Sequence, residues 1–105
     1  PQELALMDVQ RGIQMFDKTK IKIVGLVDNM SFFKGDDGKK YNIFGEGGVE
    51  KTAKEFNKNF LGKVPISKKL RESADLGLPL TYKDPNDEIS KIFYDIADKV
   101  MQDVV

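Results

Sequence analysis

The sequence predicts an α/β fold built on a pair of parallel strands, and three observations carry that expectation. The stretch IKIVGLV at residues 21–27 is a nearly continuous β-branched and aliphatic run, interrupted only by Lys22 and Gly25, which suits a strand covered on both faces. A second short apolar run, FLGKV at residues 60–64, is stopped by Pro65. Between them lies a stretch of helical periodicity, and strands joined through such a crossover lie parallel and follow the right-handed rule.

Taken in order, the first element is a helix. Leu6, Val9, Ile13 and Phe16 recur at helical spacing, with Asp8, Gln10, Arg11, Gln14 and Asp17 mostly on the other face. Pro1 suits its start, where a missing N–H costs nothing. Gly12 is an interior weakness of up to about 1 kcal/mol against alanine, and is read as a mark of close packing. Lys18, Thr19 and Lys20 close the helix and lead into the strand at Ile21. A helix feeding directly into a buried strand is half of a βαβ unit, so a preceding strand is expected outside this sequence. The start at Pro1 rather than Met agrees with a piece of a longer protein.

The strand ends on a polar corner, Asp28, Asn29, Met30 and Ser31. In open α/β sheets ligands collect beyond the carboxyl ends of strands, so this corner is either one wall of a ligand crevice or a polar turn after a strand. Phe32 and Phe33 then precede the turn-forming cluster Lys34-Gly35-Asp36-Asp37-Gly38, and residues 41–44 are β-prone, which predicts a small hairpin over residues 31–44. The two aspartates of that turn diverge and supply fewer oxygens than calcium prefers, so a solvated turn is expected. Gly45-Glu46-Gly47-Gly48 lacks the Gly-Lys-Ser/Thr ending of a phosphate-binding loop and reads as a flexible turn at a helix start.

A helix over residues 49–58 places Val49, Ala53 and Phe56 on one face. Asn29 and Pro65 are expected at the same edge of the sheet. Ser67 suits the N-cap of a helix over residues 68–75 with Leu70 and Leu76 inward, broken by Gly77-Leu78-Pro79. In the last helix Asp84 is the expected cap and Pro85 the first position. Asp87 and Glu88 fall in its first turn, and Ile89, Phe93, Ile96, Val100 and Val104 form the apolar stripe. The expectation is thus four main helices around strands at about 21–27 and 60–64.

Composition bounds the chemistry. The 105 residues make one domain at most, and seventeen basic against seventeen acidic residues leave no global field for nucleic acid or an anionic membrane. There is no cysteine and no histidine, which excludes disulfides, thiolate catalysis and cysteine-held metal or iron–sulfur clusters within the chain, and removes the commonest general base. No apolar run reaches the length of a membrane span and no signal peptide is visible, so a cytoplasmic location is expected.

The succession PQELALMDVQRG, IVGLVDNMSFF, IFGEGG, and FLGKVPI with LRESADLGLPL resembles the carboxyl-terminal half of the Mrp/ApbC (Nbp) family of MinD-like P-loop ATPases, the iron–sulfur cluster carriers. The resemblance covers essentially the whole chain. It implies a fragment of a P-loop NTPase-like three-layer fold, with the Walker A half absent from residues 1–105. It also implies that Asn29 hydrogen-bonds the adenine of ATP and that Val64, Pro65, Ile66 and Ser67 border the base, with magnesium required by the parent protein. An asparagine amide, which offers both a donor and an acceptor, suits adenine's N6 and N7.

The same resemblance implies a homodimer and iron–sulfur acceptor proteins as partners. Many family members carry a Cys-x-x-Cys pair just after the aromatic that matches Phe33, where paired chains hold a bridging cluster. Here that place reads Lys34-Gly35-Asp36-Asp37-Gly38. Two functions are therefore expected of the parent: an ATPase in iron–sulfur cluster assembly or transfer, with this chain supplying the adenine side and part of the dimer surface, or a nucleotide-gated scaffold without cluster carriage. In either case residues 1–105 alone are expected to be non-catalytic, because phosphoryl transfer needs a phosphate cradle, a lysine and a magnesium ligand together.

Overall fold

Three of the helices stop in the same way, on a left-handed residue just past their last turn. In the computed structural model, which describes residues 2–43 and 45–104, α1 spans Gln2–Lys18, α2 Gly48–Glu55 and α3 Lys68–Asp75. Each ends on a left-handed residue: Lys20 at φ 60°, Asn57 at φ 56° and Gly77 at φ 69°. The following amide then reaches back to close the last turn, Ile21 to the Phe16 carbonyl, Lys58 to Ala53 and Leu78 to Ser73, at 2.8–2.9 Å. These double reach-back bonds satisfy carbonyls that the helix ends would otherwise orphan. Pro1 lies outside the described residues, so its expected place at the helix start is not described.

The sheet has three strands in the order β2-β1-β3: β1 Leu26–Lys34, β2 Lys40–Tyr41 and β3 Phe60–Ile66. β1 runs parallel to β3 and antiparallel to β2. Together with α1, α2, α3, the short α4 (Leu80–Lys83) and α5 (Glu88–Val104), this is a small α/β unit with a mixed sheet, consistent with a piece of a P-loop NTPase fold. α5 covers β3, α2 packs against β1 and β3, and α4 bridges α3 and α5.

Several boundaries differ from the sequence expectation, each for a local reason. The first strand begins at Leu26 rather than Ile21 because its partner begins only at Phe60, which pairs with Leu26. Upstream, Asn59 holds the chain by single bonds, accepting from Leu26 N–H at 2.8 Å and donating to the Val24 carbonyl at 3.3 Å. Gly25 lies so close to β3 that a Cβ there would fall 2.6 Å from Leu61 Cγ, which is why a glycine interrupts the apolar run. At the other end Pro65 does not stop the second strand. β3 continues to Ile66, and between the pairs Asn29↔Val64 and Phe33↔Ile66 the residues Met30, Ser31 and Phe32 stand against Pro65 alone. A proline has no N–H to give the ladder, and β1 bulges opposite it.

The hairpin pairs Phe33 with Tyr41 and Lys34 with Lys40, nearer the turn than expected; Ser31 and Phe32 pair with nothing in β2, and Phe44 lies outside the described residues. Helix α2 ends at Glu55, three residues early, where Asn57 turns left-handed. Helix α5 begins at Glu88: Asp84 does not cap it, because its carbonyl closes the preceding turn, accepting from Asp87 N–H at 3.2 Å and Ser90 Oγ at 2.7 Å. Asp87 caps instead, its carboxylate accepting from Ile89 N–H at 2.9 Å. Leu76 is 66% exposed rather than inward, since it sits at the cap of α3 beyond the last helical turn. The Gly12 expectation fails too, because a Cβ there meets nothing within 4 Å.

The core is thin. Among the described residues the buried apolar side chains are Ile13, Ala53, Leu61, Val64, Pro65 and Leu80, joined by the hydroxyls of Ser31, Thr52, Ser73 and Ser90. Ile89, Phe93, Ile96 and Val100 are half-buried as expected of a stripe; the Val104 side chain lies outside the described set. The radius of gyration is 15.0 Å, against about 13 Å for a closed domain of this size. Apolar side chains on α1 and β1, among them Leu4, Met7, Met15, Val27 and Met30, remain exposed. No described helix is long and apolar enough to cross a membrane.

Candidate functional site

The polar residues 28–31, expected to follow the strand, instead lie inside β1 at its bulge, because pairing with β3 continues to Phe33↔Ile66, and side chains from three directions converge there. A cavity of about 400 Å³ is walled by Ala5, Leu6 and Val9 of α1, by residues 27–31 of β1, and by Gly45 and Val49 at the start of α2. Its walls are chiefly aliphatic, and the polar groups on it belong to Asp28, Asn29 and Ser31. Such a mixture suits a flat heterocycle held by a few directed hydrogen bonds.

The corner is internally braced. Ser31 Oγ donates to Asp28 Oδ2 at 2.9 Å, and Ser31 is buried. Met30 adopts φ 54°, a left-handed conformation uncommon for a non-glycine residue, and its N–H donates to Asn29 Oδ1 at 2.9 Å. Asn29 is exposed and its Cα lies opposite Val64 in the ladder.

The five residues expected to border a base fall in different places. Asn29 lines the cavity beside α1. Val64 is only 2% exposed and serves as core packing next to it. Pro65, Ile66 and Ser67 line a second concavity of about 570 Å³, on the side of Phe32, Phe33 and the start of α5. Ser67 also caps α3, accepting from Leu70 N–H at 3.2 Å, as its position predicts.

The charges around the second concavity are paired. Lys69 Nζ bonds Asp87 Oδ2 at 3.1 Å and Lys34 Nζ meets Glu88 at 3.4 Å. The Ile89 N–H, and then Lys69, hold the Asp87 carboxyl below the usual carboxylate range, and Asp87 in turn holds Lys69 above the usual ammonium value. An anion entering here would have to displace a carboxylate from each cation. At the hairpin turn, Tyr41 Oη donates to Asp37 Oδ2 at 2.6 Å and Lys39 N–H to Asp37 Oδ1 at 2.9 Å. The Tyr41 phenol and then the Lys39 amide lower the Asp37 carboxyl, while Asp37 raises the Tyr41 phenol. These bonds turn Asp37 inward to its own hairpin, and no cluster of metal-ligating side chains occurs among the described residues.

Sequence reasoning missed two contributors. The α1 stripe reads as core, yet Leu6 and Val9 are half-buried and wall the cavity. Met30 is expected at the corner, but its left-handed backbone carries no signal, since methionine is not a residue that announces such a turn.

Comparison with known proteins places this geometry. Residues 1–101 match the model of the ParA family described as NUBPL iron-transfer P-loop NTPase. The iron-sulfur cluster transfer protein NUBPL of Dictyostelium discoideum is 42% identical over 103 residues, covering 97% of this chain and 32% of that protein. The iron-sulfur cluster carrier protein of Pyrococcus horikoshii is 42% identical over 103 residues, 96% of this chain and 34% of the relative, and that of Escherichia coli K12 is 39% identical over 101 residues, 95% and 27%. The chain therefore spans about a third or less of the length of the curated relatives it matches. With the parallel pair and its crossover helix, the match over nearly the whole chain means that it belongs to the NUBPL iron-transfer family of P-loop NTPases.

Proposed function

We propose that the chain is the base-binding portion of an ATP-dependent iron–sulfur cluster carrier, with Asn29 reading adenine from the cavity beside α1, Val64 packed behind it, and the backbone of Pro65, Ile66 and Ser67 approaching the base from the second concavity. The observation that carries this reading is the Asn29 amide lining an aliphatic cavity at the bulge of β1, where the regular pairing with β3 is interrupted. Magnesium and the phosphate contacts come from residues outside the 105, since no Gly-Lys-Ser/Thr loop occurs in the sequence. The working unit is a homodimer that passes its cluster to acceptor proteins. The cluster is cargo, and this chain's donor set does not fit it: there is no cysteine and no histidine.

Two measurements test the proposal. In the full-length protein, Asn29→Ala is expected to weaken ATP about tenfold, the value of one directed hydrogen bond, with little change in thermal midpoint. Equal ATP affinity in the variant sinks the assignment. Calorimetric titration of ATP into residues 1–105 is expected to show millimolar affinity at best, because a base pocket without phosphate contacts keeps only part of the binding energy; micromolar affinity contradicts it.

A second reading is favoured by the hairpin, whose turn is closed by Asp37 and Tyr41 where the family resemblance implies a cysteine pair. On that reading the parent is a nucleotide-gated scaffold without cluster carriage. Reconstituting the full-length protein with iron and sulfide separates the two, since a stable chromophore supports the carrier and its absence the scaffold.

A further inference from the structure

Resting on the reading that the base lies in the cavity beside α1, we propose that Asp28 is a second base-reading residue, its carboxylate accepting the 6-amino group of adenine. Asp28 is half-buried and lines that cavity together with Asn29 and Ser31. Ser31 is buried and donates its hydroxyl to Asp28 Oδ2 at 2.9 Å, which fixes one oxygen of the carboxylate. Among the described residues no donor bonds the other oxygen, Oδ1, and Asp28 enters no ion pair. The cavity therefore carries an acceptor that its own walls leave open.

An ionised carboxylate accepts and never donates. Whatever displaces water from Oδ1 has to bring a hydrogen, or it leaves a charged oxygen unpaired against the aliphatic walls of Leu6, Val9 and Val49. Adenine joined to ribose through N9 carries N–H hydrogens only on its 6-amino nitrogen. That nitrogen has a hydrogen on each side. The one beside N7 serves Asn29, as reading of the N6–N7 edge requires, and the one beside N1 serves Asp28. A bond from an amine to a carboxylate is charge-assisted and stronger than one to an amide oxygen. Asp28 thereby selects a base with an amino group at position 6, and Ser31 holds the carboxylate in place.

The test compares ATP with purine riboside triphosphate, which carries hydrogen in place of the 6-amino group, by calorimetric titration of the full-length protein. Asp28→Ala is expected to weaken ATP about tenfold and to leave the analogue unchanged or tighter, because the analogue gains nothing from the carboxylate. A residue that only braced β1 would cost both ligands alike. Equal losses therefore overturn the reading role, and so does ATP affinity that Asp28→Ala leaves untouched.

A second variant leaves the carboxylate alone. In Asn29→Ala, at an exposed position, a preference of about tenfold for ATP over the analogue is expected to persist, since one amino hydrogen still meets Asp28. Loss of that preference also overturns the proposal. The failures are distinguishable. Asn29→Ala without effect, while Asp28→Ala costs ATP alone, removes Asn29 from the base and supports Asp28. If neither variant changes ATP affinity, the base does not lie in this cavity, and the inference falls with that reading.

Discussion

Helices α1 and α5 are each seventeen residues long and each carries an apolar face, yet they are held differently. α5 is anchored along its length. Asp87 caps it, Ser90 is wholly buried, Ile96 lies against Gly62 of β3, and Lys99 Nζ donates to the Leu61 carbonyl at 3.0 Å. α1 meets chiefly α2, buries Ile13, and leaves Leu4, Met7, Met15 and Phe16 in solvent. Amphipathic spacing thus tells which face of a helix is apolar, but not whether the surface that covers it belongs to the same 105 residues.

The largest test of that contrast compares core with stripe. Leu61→Ala, in the buried core of β3, is expected to cost about 2–5 kcal/mol in urea unfolding, whereas Met7→Ala on α1 should stay within about 0.5 kcal/mol. A Met7→Ala loss that matches Leu61→Ala would mean the α1 face is covered in solution, and a dependence on protein concentration would identify a second copy as the cover.

A smaller effect sharpens the α5 side. Asp87→Ala should cost about 1 kcal/mol through the lost cap, with the half-exposed Lys69 pair adding little, and Asp84→Ala less than half as much. Because the folded Asp87 carboxyl is lowered below its unfolded value of about 3.9, its contribution is whole above that value and is lost as the pH falls through the folded one. Asp87→Asn keeps a capping oxygen and should flatten that acid limb of the stability profile.

The smallest change acts on α1 itself. Gly12→Ala is expected to gain about 0.5–1 kcal/mol, since the new methyl meets nothing and the unfolded chain loses freedom. A loss instead would place a close neighbour against α1.

Much of the fold was legible because its signals are local. Ser67 as a cap, Gly77 as a stop, and the periodic stripes of α2 and α5 depend on residues within a few positions of one another, and all stand where the pattern predicts. What the pattern could not supply is set across the ladder. The start of β1 depends on where Phe60 lies and its bulge on Pro65. The candidate site was half legible for the same reason. Asn29 as the polar break after a run of apolar residues is readable, but β1 running on through it to Lys34, and the division of Asn29 and residues 65–67 between two concavities, follow from the pairing with β3 and its bulge.

The parallel pairing of β1 with β3 also bears on the order in which the molecule assembles. Helices α3 and α5 can gather on nearby bonds, including Lys69 to Asp87 and Tyr94 Oη to the Thr81 carbonyl. The β1–β3 ladder has to close a loop through all of α2 before its first bond forms, which delays it on entropic grounds. The corner that carries Asn29 is therefore among the last parts to set and the first to loosen under mild denaturant. A ligand seated there would act as a late staple, tightening the half of the chain that its own folding leaves weakest.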